Sequence, residues 1–156
     1  MIAKLHTLTV PDMLWINLQI TGSPQKYDFA TLEEGTFYQY KNGQNNELAS
    51  QAARFLTGFH RLAPFAEGNA ATAFVGCLAF LEMNGKLLNL AGDEASAWVQ
   101  KLLTEPSKAT EMISDLLDDH EVHSDPNDTG PQHIVNGILS RFTETLASLG
   151  KTPAKV

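Results

Sequence analysis

Apolar residues recur at three- and four-residue steps along most of this chain, the spacing that gathers them on one face of an α-helix. From Glu47 to Leu62 the signal is strong, with Leu48, Ala52, Phe55, Leu56 and Phe59 keeping step until Pro64 interrupts. A second helix is predicted from about Asn69 to Asn84. Its Ala70, Ala71, Ala73, Phe74, Val75, Cys77, Leu78, Ala79, Phe80 and Leu81 leave almost no polar face. A helix apolar nearly all round belongs at the centre of a bundle. Asn84-Gly85 stops it through a residue able to turn left-handed. Upstream, Thr9 is the expected cap of a helix with Pro11 near its first turn, carrying Met13, Leu14, Ile16, Leu18 and Ile20 and closing at Thr21-Gly22-Ser23-Pro24.

Elsewhere the pattern is looser. Tyr27, Phe29, Leu32, Phe37, Tyr38 and Tyr40 are irregularly spaced, which predicts a loop with one short helix at most and a turn at Asn42-Gly43. Leu87, Leu88 and Leu90 lead into a polar break. Asp93 is read as the cap of a helix with Ala97, Trp98, Leu102 and Leu103, and Pro106-Ser107 as the start of another with Met112, Ile113, Leu116 and Leu117. Asp118 to Pro131 reads as a polar loop. One last helix carries Ile134, Val135, Ile138, Leu139, Phe142, Leu146 and Leu149, and the tail 151–156 is expected to fray. Nothing repeats, and no segment alternates with period two. The fold class is therefore all-α, a bundle of about six to seven helices. It forms a single domain over residues 1–150, with 105–150 completing or extending the bundle.

Composition narrows the function classes. The 156 residues are 43% hydrophobic and 19% charged, which is ordinary globular usage, and the formal net charge is −7. An acidic surface with scattered Lys and Arg is poorly suited to a phosphate backbone, so nucleic acid is not expected as partner. No apolar run approaches the ~20 residues of a membrane span, and the opening residues lack the apolar core of a signal peptide. A cytoplasmic protein is the simplest expectation. The one cysteine, Cys77, sits in an apolar run and reads as a buried, inert thiol.

The window between the two strongest helices carries the most information. Ala63-Pro64-Phe65-Ala66-Glu67-Gly68-Asn69-Ala70-Ala71 is a loop feeding a helix N-terminus, with a flexible Gly and a capping-type Asn at the turn. Free N–H groups and the positive end of the helix dipole make such a turn either a phosphate-binding site or an ordinary capped helix.

This window resembles the signature of the Fic/Doc (death-on-curing) family, His-Pro-Phe-x-(Asp/Glu)-Gly-Asn-x-Arg-x-x-Arg. Pro64, Phe65, Glu67, Gly68 and Asn69 match in register, and the resemblance extends over roughly residues 5 to 103. It implies a helical bundle, with a short β-hairpin flap in some members and Tyr27 to Tyr40 the segment with suitable aromatic content. It also implies chemistry that moves AMP or phosphate from ATP, with magnesium, to a hydroxyl of a target protein, and for Doc-type members a small antitoxin that docks over the cleft. On this resemblance the nucleotide or anion site falls on Pro64, Phe65, Glu67, Gly68, Asn69 and Ala70, with Glu67 as metal-holding carboxylate.

The departures from the signature decide the expected function. The family's general base falls on Ala63, whose methyl group accepts no proton. Its two phosphate-holding arginines fall on Ala71 and Phe74, which carry neither charge nor donors. The expected protein is therefore a degenerate, catalytically inactive member that binds a protein partner or a nucleotide. One alternative is an active transferase with His60, three residues before Ala63, as substitute base. Another is a helical interaction module with no ligand.

Other candidates are weaker. Asp118, Asp119, His120, Glu121, His123, Asp125 and Asp128 cluster in the polar loop, but their spacing fits neither an EF-hand nor a zinc site, and a solvated loop is favoured. His6 and His133 have no recognisable partners. Trp15 and Trp98 sit at helical spacing and read as core. Glu34-Gly35 ends like the inhibitory Ser/Thr-x-x-x-Glu-Gly of some Fic proteins, yet Ala30 stands where the hydroxyl belongs.

Overall fold

Helix α1 (Val10–Thr21) is set at both ends by its own sequence. The Asp12 N–H donates to Thr9 Oγ1 and the Thr9 N–H to Asp12 Oδ2, a reciprocal capping box, and Gly22 ends the helix with a left-handed φ of 80°. The structure is a computed structural model that describes residues 7–40, 47–119 and 132–151. The readings made for His6, for the Asn42-Gly43 turn, for His120, Glu121, His123, Asp125 and Asp128, and for the tail from 152 lie outside the described residues.

Helix α2 (Phe29–Phe37) starts where Asp28 accepts the Thr31 N–H at 2.9 Å. Helices α3 (Leu48–Leu62) and α4 (Asn69–Met83) fall where the apolar steps put them. Helix α4 is buried from Ala71 to Glu82 and packs against α1, α3 and the two C-terminal helices, as its apolar circumference requires. The segment with flap-like aromatics is thus α2, and next to it Tyr27 makes an isolated antiparallel bridge with Phe65.

The strand pairing lies elsewhere. Strand β1 (Lys86–Leu88) pairs antiparallel with β2 (Leu117–Asp119), Lys86 opposite Asp119. Three residues are too few to show a period of two, so the leucines there gave no strand signal. Lys86 Nζ lies 2.5 Å from Asp119 Oδ1, and its hydrogen bond and charge hold the Asp119 carboxyl below its ordinary range.

Helix α5 (Gly92–Thr104) starts two residues earlier than a cap at Asp93 predicts. Ala91 is the cap, while Asp93 and Glu94 stand in the first turn, where the helix dipole favours carboxylates. A 3-10 turn (Pro106–Lys108) then leads into α6 (Ala109–Leu116). The last stripe forms two helices, α7 (Gln132–Arg141) and α8 (Thr143–Lys151), which brings the described α-helices to eight. At the break around Phe142, local and tertiary contacts meet. Thr143 Oγ1 donates back to the Leu139 and Ser140 carbonyls, competing with the helical ladder. Phe142 packs edge-on against Phe74 at 5.2 Å, and Arg141 pairs with the Glu82 carboxylate of α4.

Buried apolar residues from Leu8 to Leu149 form one cluster, and Trp15 and Trp98 pack against it. No helix among the described residues is long and apolar enough to cross a membrane.

Candidate functional site: the turn between α3 and α4

Helix α3 closes at Ala63, which sits in the left-handed region at φ 46°, ψ 61°. Its N–H is shared between the Phe59 and His60 carbonyls at 3.1 and 3.2 Å. The chain then runs extended beside residues 26–28. The Asp28 N–H donates to the Pro64 carbonyl at 3.0 Å, and the Ala66 N–H to the Lys26 carbonyl at 2.9 Å. The Tyr27 ring tilts onto Phe65 with centroids 6.0 Å apart, and Phe65 leans on Phe59.

Two buried asparagines fasten this turn. Asn69 accepts the Phe65 N–H on Oδ1 at 2.9 Å and returns Nδ2 to the Phe65 carbonyl at 2.8 Å. Its amide therefore satisfies both backbone groups of a buried residue. From α1, Asn17 Nδ2 donates to the Glu67 carbonyl at 3.0 Å and to Thr72 Oγ1 at 3.1 Å, tying loop and helix together. Between them Gly68 takes φ 81° under very close cover. A Cβ there would lie 2.8 Å from Thr21 Cγ2 and 3.1 Å from Asn17 Nδ2. The glycine is thus required both by the backbone angle and by the approach of α1.

A cleft of about 490 Å³ opens beside Glu67 and Gly68, a size at which small ligands and side chains are commonly received. Gln19, Ile20 and Thr21 of α1 form one wall, and Leu139, Thr143, Leu146 and Ala147 of α7 and α8 the other. Among the described residues Glu67 is the charged residue in this lining, and no Lys, Arg or His joins it. A phosphate here would face a carboxylate without a counter-charge, which is unfavourable.

Of the residues assigned to anion binding, Glu67 and Gly68 line the cleft. Pro64, Phe65 and Asn69 are buried within the turn, Ala70 is half-buried, and the Asn69 side chain is spent on Phe65. No side chain caps the first turn of α4. Ala71 and Phe74 are fully buried in the core. An arginine at either place would be a charge inside the apolar cluster, not a clamp on the cleft. Ala63 is exposed. Half-buried His60 is not in the cleft lining, and burial holds its pKa below the ordinary value, which favours the neutral imidazole.

The remaining candidates separate from the site. Among the described residues no three of His, Cys, Asp and Glu converge to hold a metal ion, so Glu67 has no companion set. Burial pushes the Cys77 thiol up to about 12, which keeps it protonated. Glu34 accepts from the Tyr38 hydroxyl at 2.8 Å, and Gly35 packs against Phe59, so that dipeptide belongs to the α2–α3 contact. His133 is exposed. Asn17 is the residue that sequence reading passed over. Its signal is a short polar side chain between Ile16 and Leu18 on a helix otherwise rich in apolar residues.

No known protein family, curated protein or solved structure matches the chain.

Proposed function

We propose that this chain is a Fic/Doc-type domain that works by binding a protein partner and transfers neither AMP nor phosphate. The observation that carries the reading is the fate of the arginine positions: Ala71 and Phe74 are core residues, and among the described residues the cleft beside the motif turn presents Glu67 with no cation. Without a base at Ala63, transfer loses a factor of about 10²–10⁴, and the absent electrostatic clamp removes more. The cleft chemistry favours a protein segment over a nucleotide. Ile20, Leu139 and Leu146 suit an apolar side chain, and Glu67 suits a cationic or N–H group beside it. An antitoxin-like partner, as the Doc resemblance implies, is one such protein. A cytoplasmic setting is part of the same reading, since the one thiol, Cys77, is buried and has no partner cysteine.

The test has two arms. Labelled ATP with magnesium and cell lysate should leave no label on protein. In amide NMR spectra, ATP with magnesium should leave Gly68, Asn69 and Ala70 unmoved. Label transfer that disappears in His60→Ala would replace this proposal with an active transferase using His60 as base. Saturable shifts at Gly68 to Ala70 would make the cleft a nucleotide site.

A further inference from the structure

Helix α3 carries Arg54, Thr57, Gly58 and Arg61 at positions i, i+3, i+4 and i+7, one stripe of the helix. With Tyr38, Leu103 and Pro106 they line a groove of about 400 Å³. Past Arg54, Thr57 and Pro106 it continues into a further hollow of about 280 Å³ that also takes in Ser50 and Thr110. The motif turn contributes nothing to either.

Tyr38 organises this groove. Its ring lies on Gly58, where an added Cβ would be 2.4 Å from a ring carbon. That leaves room for no other residue beneath the ring. The Tyr38 carbonyl accepts Arg54 Nε at 3.1 Å, and its hydroxyl accepts Arg61 Nη2 at 3.1 Å. The Arg61 guanidinium also sits 5.8 Å from the ring centroid. One tyrosine therefore holds two guanidinium groups at one groove and leaves the terminal nitrogens of Arg54 and Nε and Nη1 of Arg61 to donate elsewhere.

Neither arginine is neutralised by a carboxylate among the described residues. The ion pairs there are Lys86–Asp119, Lys108–Glu105 and Arg141–Glu82. Glu34 is the acidic group nearest in the network, and it accepts the Tyr38 hydroxyl. Glu105, next to Pro106, turns to Lys108 at 3.3 Å. Glu34 therefore reaches Arg61 only through the Tyr38 hydroxyl. Two like charges at one groove with no carboxylate in direct contact among the described residues repel one another, and a bound anion relieves that repulsion.

We propose that this groove binds a small phosphate monoester. Such a group carries about −1.5 to −2 charge near neutral pH, which matches the two guanidiniums. Their planar forks suit its oxygens, while Leu103 and Pro106 offer an apolar wall to the organic part. The site is independent of the cleft at Glu67 and Gly68, and it stands if the binding-domain reading fails.

Titrating the full chain with phenyl phosphate, followed by amide NMR, tests this. Saturable shifts are expected at residues 54–61 and 103–110 with Gly68 unmoved, and a Kd at or below roughly 1 mM. Arg54→Gln and Arg61→Gln should each weaken binding roughly tenfold or more, and Lys101→Gln should not. Arg61 is exposed, so Arg61→Gln keeps the test valid even if Arg54→Gln melts early. Shifts that do not saturate, shifts centred on Gly68, or unchanged affinity in Arg61→Gln would overturn the proposal. Succinate binding as tightly as phenyl phosphate would overturn the phosphate assignment.

Discussion

Two glycines share a backbone conformation and differ in what surrounds them, which isolates the lock on the motif turn. Gly22 has φ 80° with nothing within 4 Å of an added Cβ. Gly68 has φ 81°, with Thr21 Cγ2 at 2.8 Å and Asn17 Nδ2 at 3.1 Å from that position. Alanine at Gly22 should cost only the left-handed penalty of about 1–2 kcal/mol. Alanine at Gly68 adds a clash that short Thr21 cannot swing away from. It also presses on the amide that serves the Glu67 carbonyl and Thr72, and each buried polar group left unpaired costs about 1–3 kcal/mol. Gly68→Ala should therefore destabilise by about 2–5 kcal/mol, clearly more than Gly22→Ala. Urea denaturation followed by circular dichroism at 222 nm gives both values. Thr21→Ser deletes Cγ2 while keeping the hydroxyl that donates to the Asn17 carbonyl at 2.9 Å. In a double-mutant cycle it should recover part of the Gly68→Ala loss, a coupling of about 0.5–3 kcal/mol. Equal costs at Gly22 and Gly68, or no coupling to Thr21, would show that α1 does not hold the turn.

Other perturbations follow from the same geometry. Ala71→Arg places a cation at a position with no exposure and should destabilise by about 3–5 kcal/mol, read as a lowered melting midpoint; a folded variant that binds ATP would mean the side chain reaches the cleft. Ala63→Gly relieves a non-glycine residue at φ 46° and should stabilise by about 0.5–1.5 kcal/mol, since glycine's greater freedom when unfolded offsets part of the gain. His60 should make stability pH-dependent. Its pKa is lowered by burial from the ordinary 6.5, so the unfolded chain binds the proton more readily. That contribution is complete above about 6.5 and is lost as pH falls toward the folded value, although the C-terminal end of α3 pulls the other way. His60→Gln should flatten the slope below 6.5, and an unchanged slope would assign it to other groups.

Much of this protein was determined by its sequence. The apolar steps of α3, the all-round apolar surface of α4, the Thr9 cap and the Gly22 stop are local signals, and local hydrogen bonds and burial suffice to realise them. That Ala63, Ala71 and Phe74 carry no basic or cationic atoms is likewise fixed by the sequence, whatever their placement. Other features needed the tertiary fold. The β1–β2 pair joins residues about thirty apart through three-residue strands, too short for any period to show. The split of the last helix depends on Phe142 meeting Phe74 and Arg141 meeting Glu82, contacts with no trace in the spacing. The motif residues read as one site, yet folding turns Asn69 inward onto Phe65 and leaves Glu67 and Gly68 at the cleft. Asn17, Tyr38 and Arg54 were silent for the same reason. A polar side chain acquires its role from the partner that packing brings to it, and α1 and α2 reach those partners only once the bundle has closed.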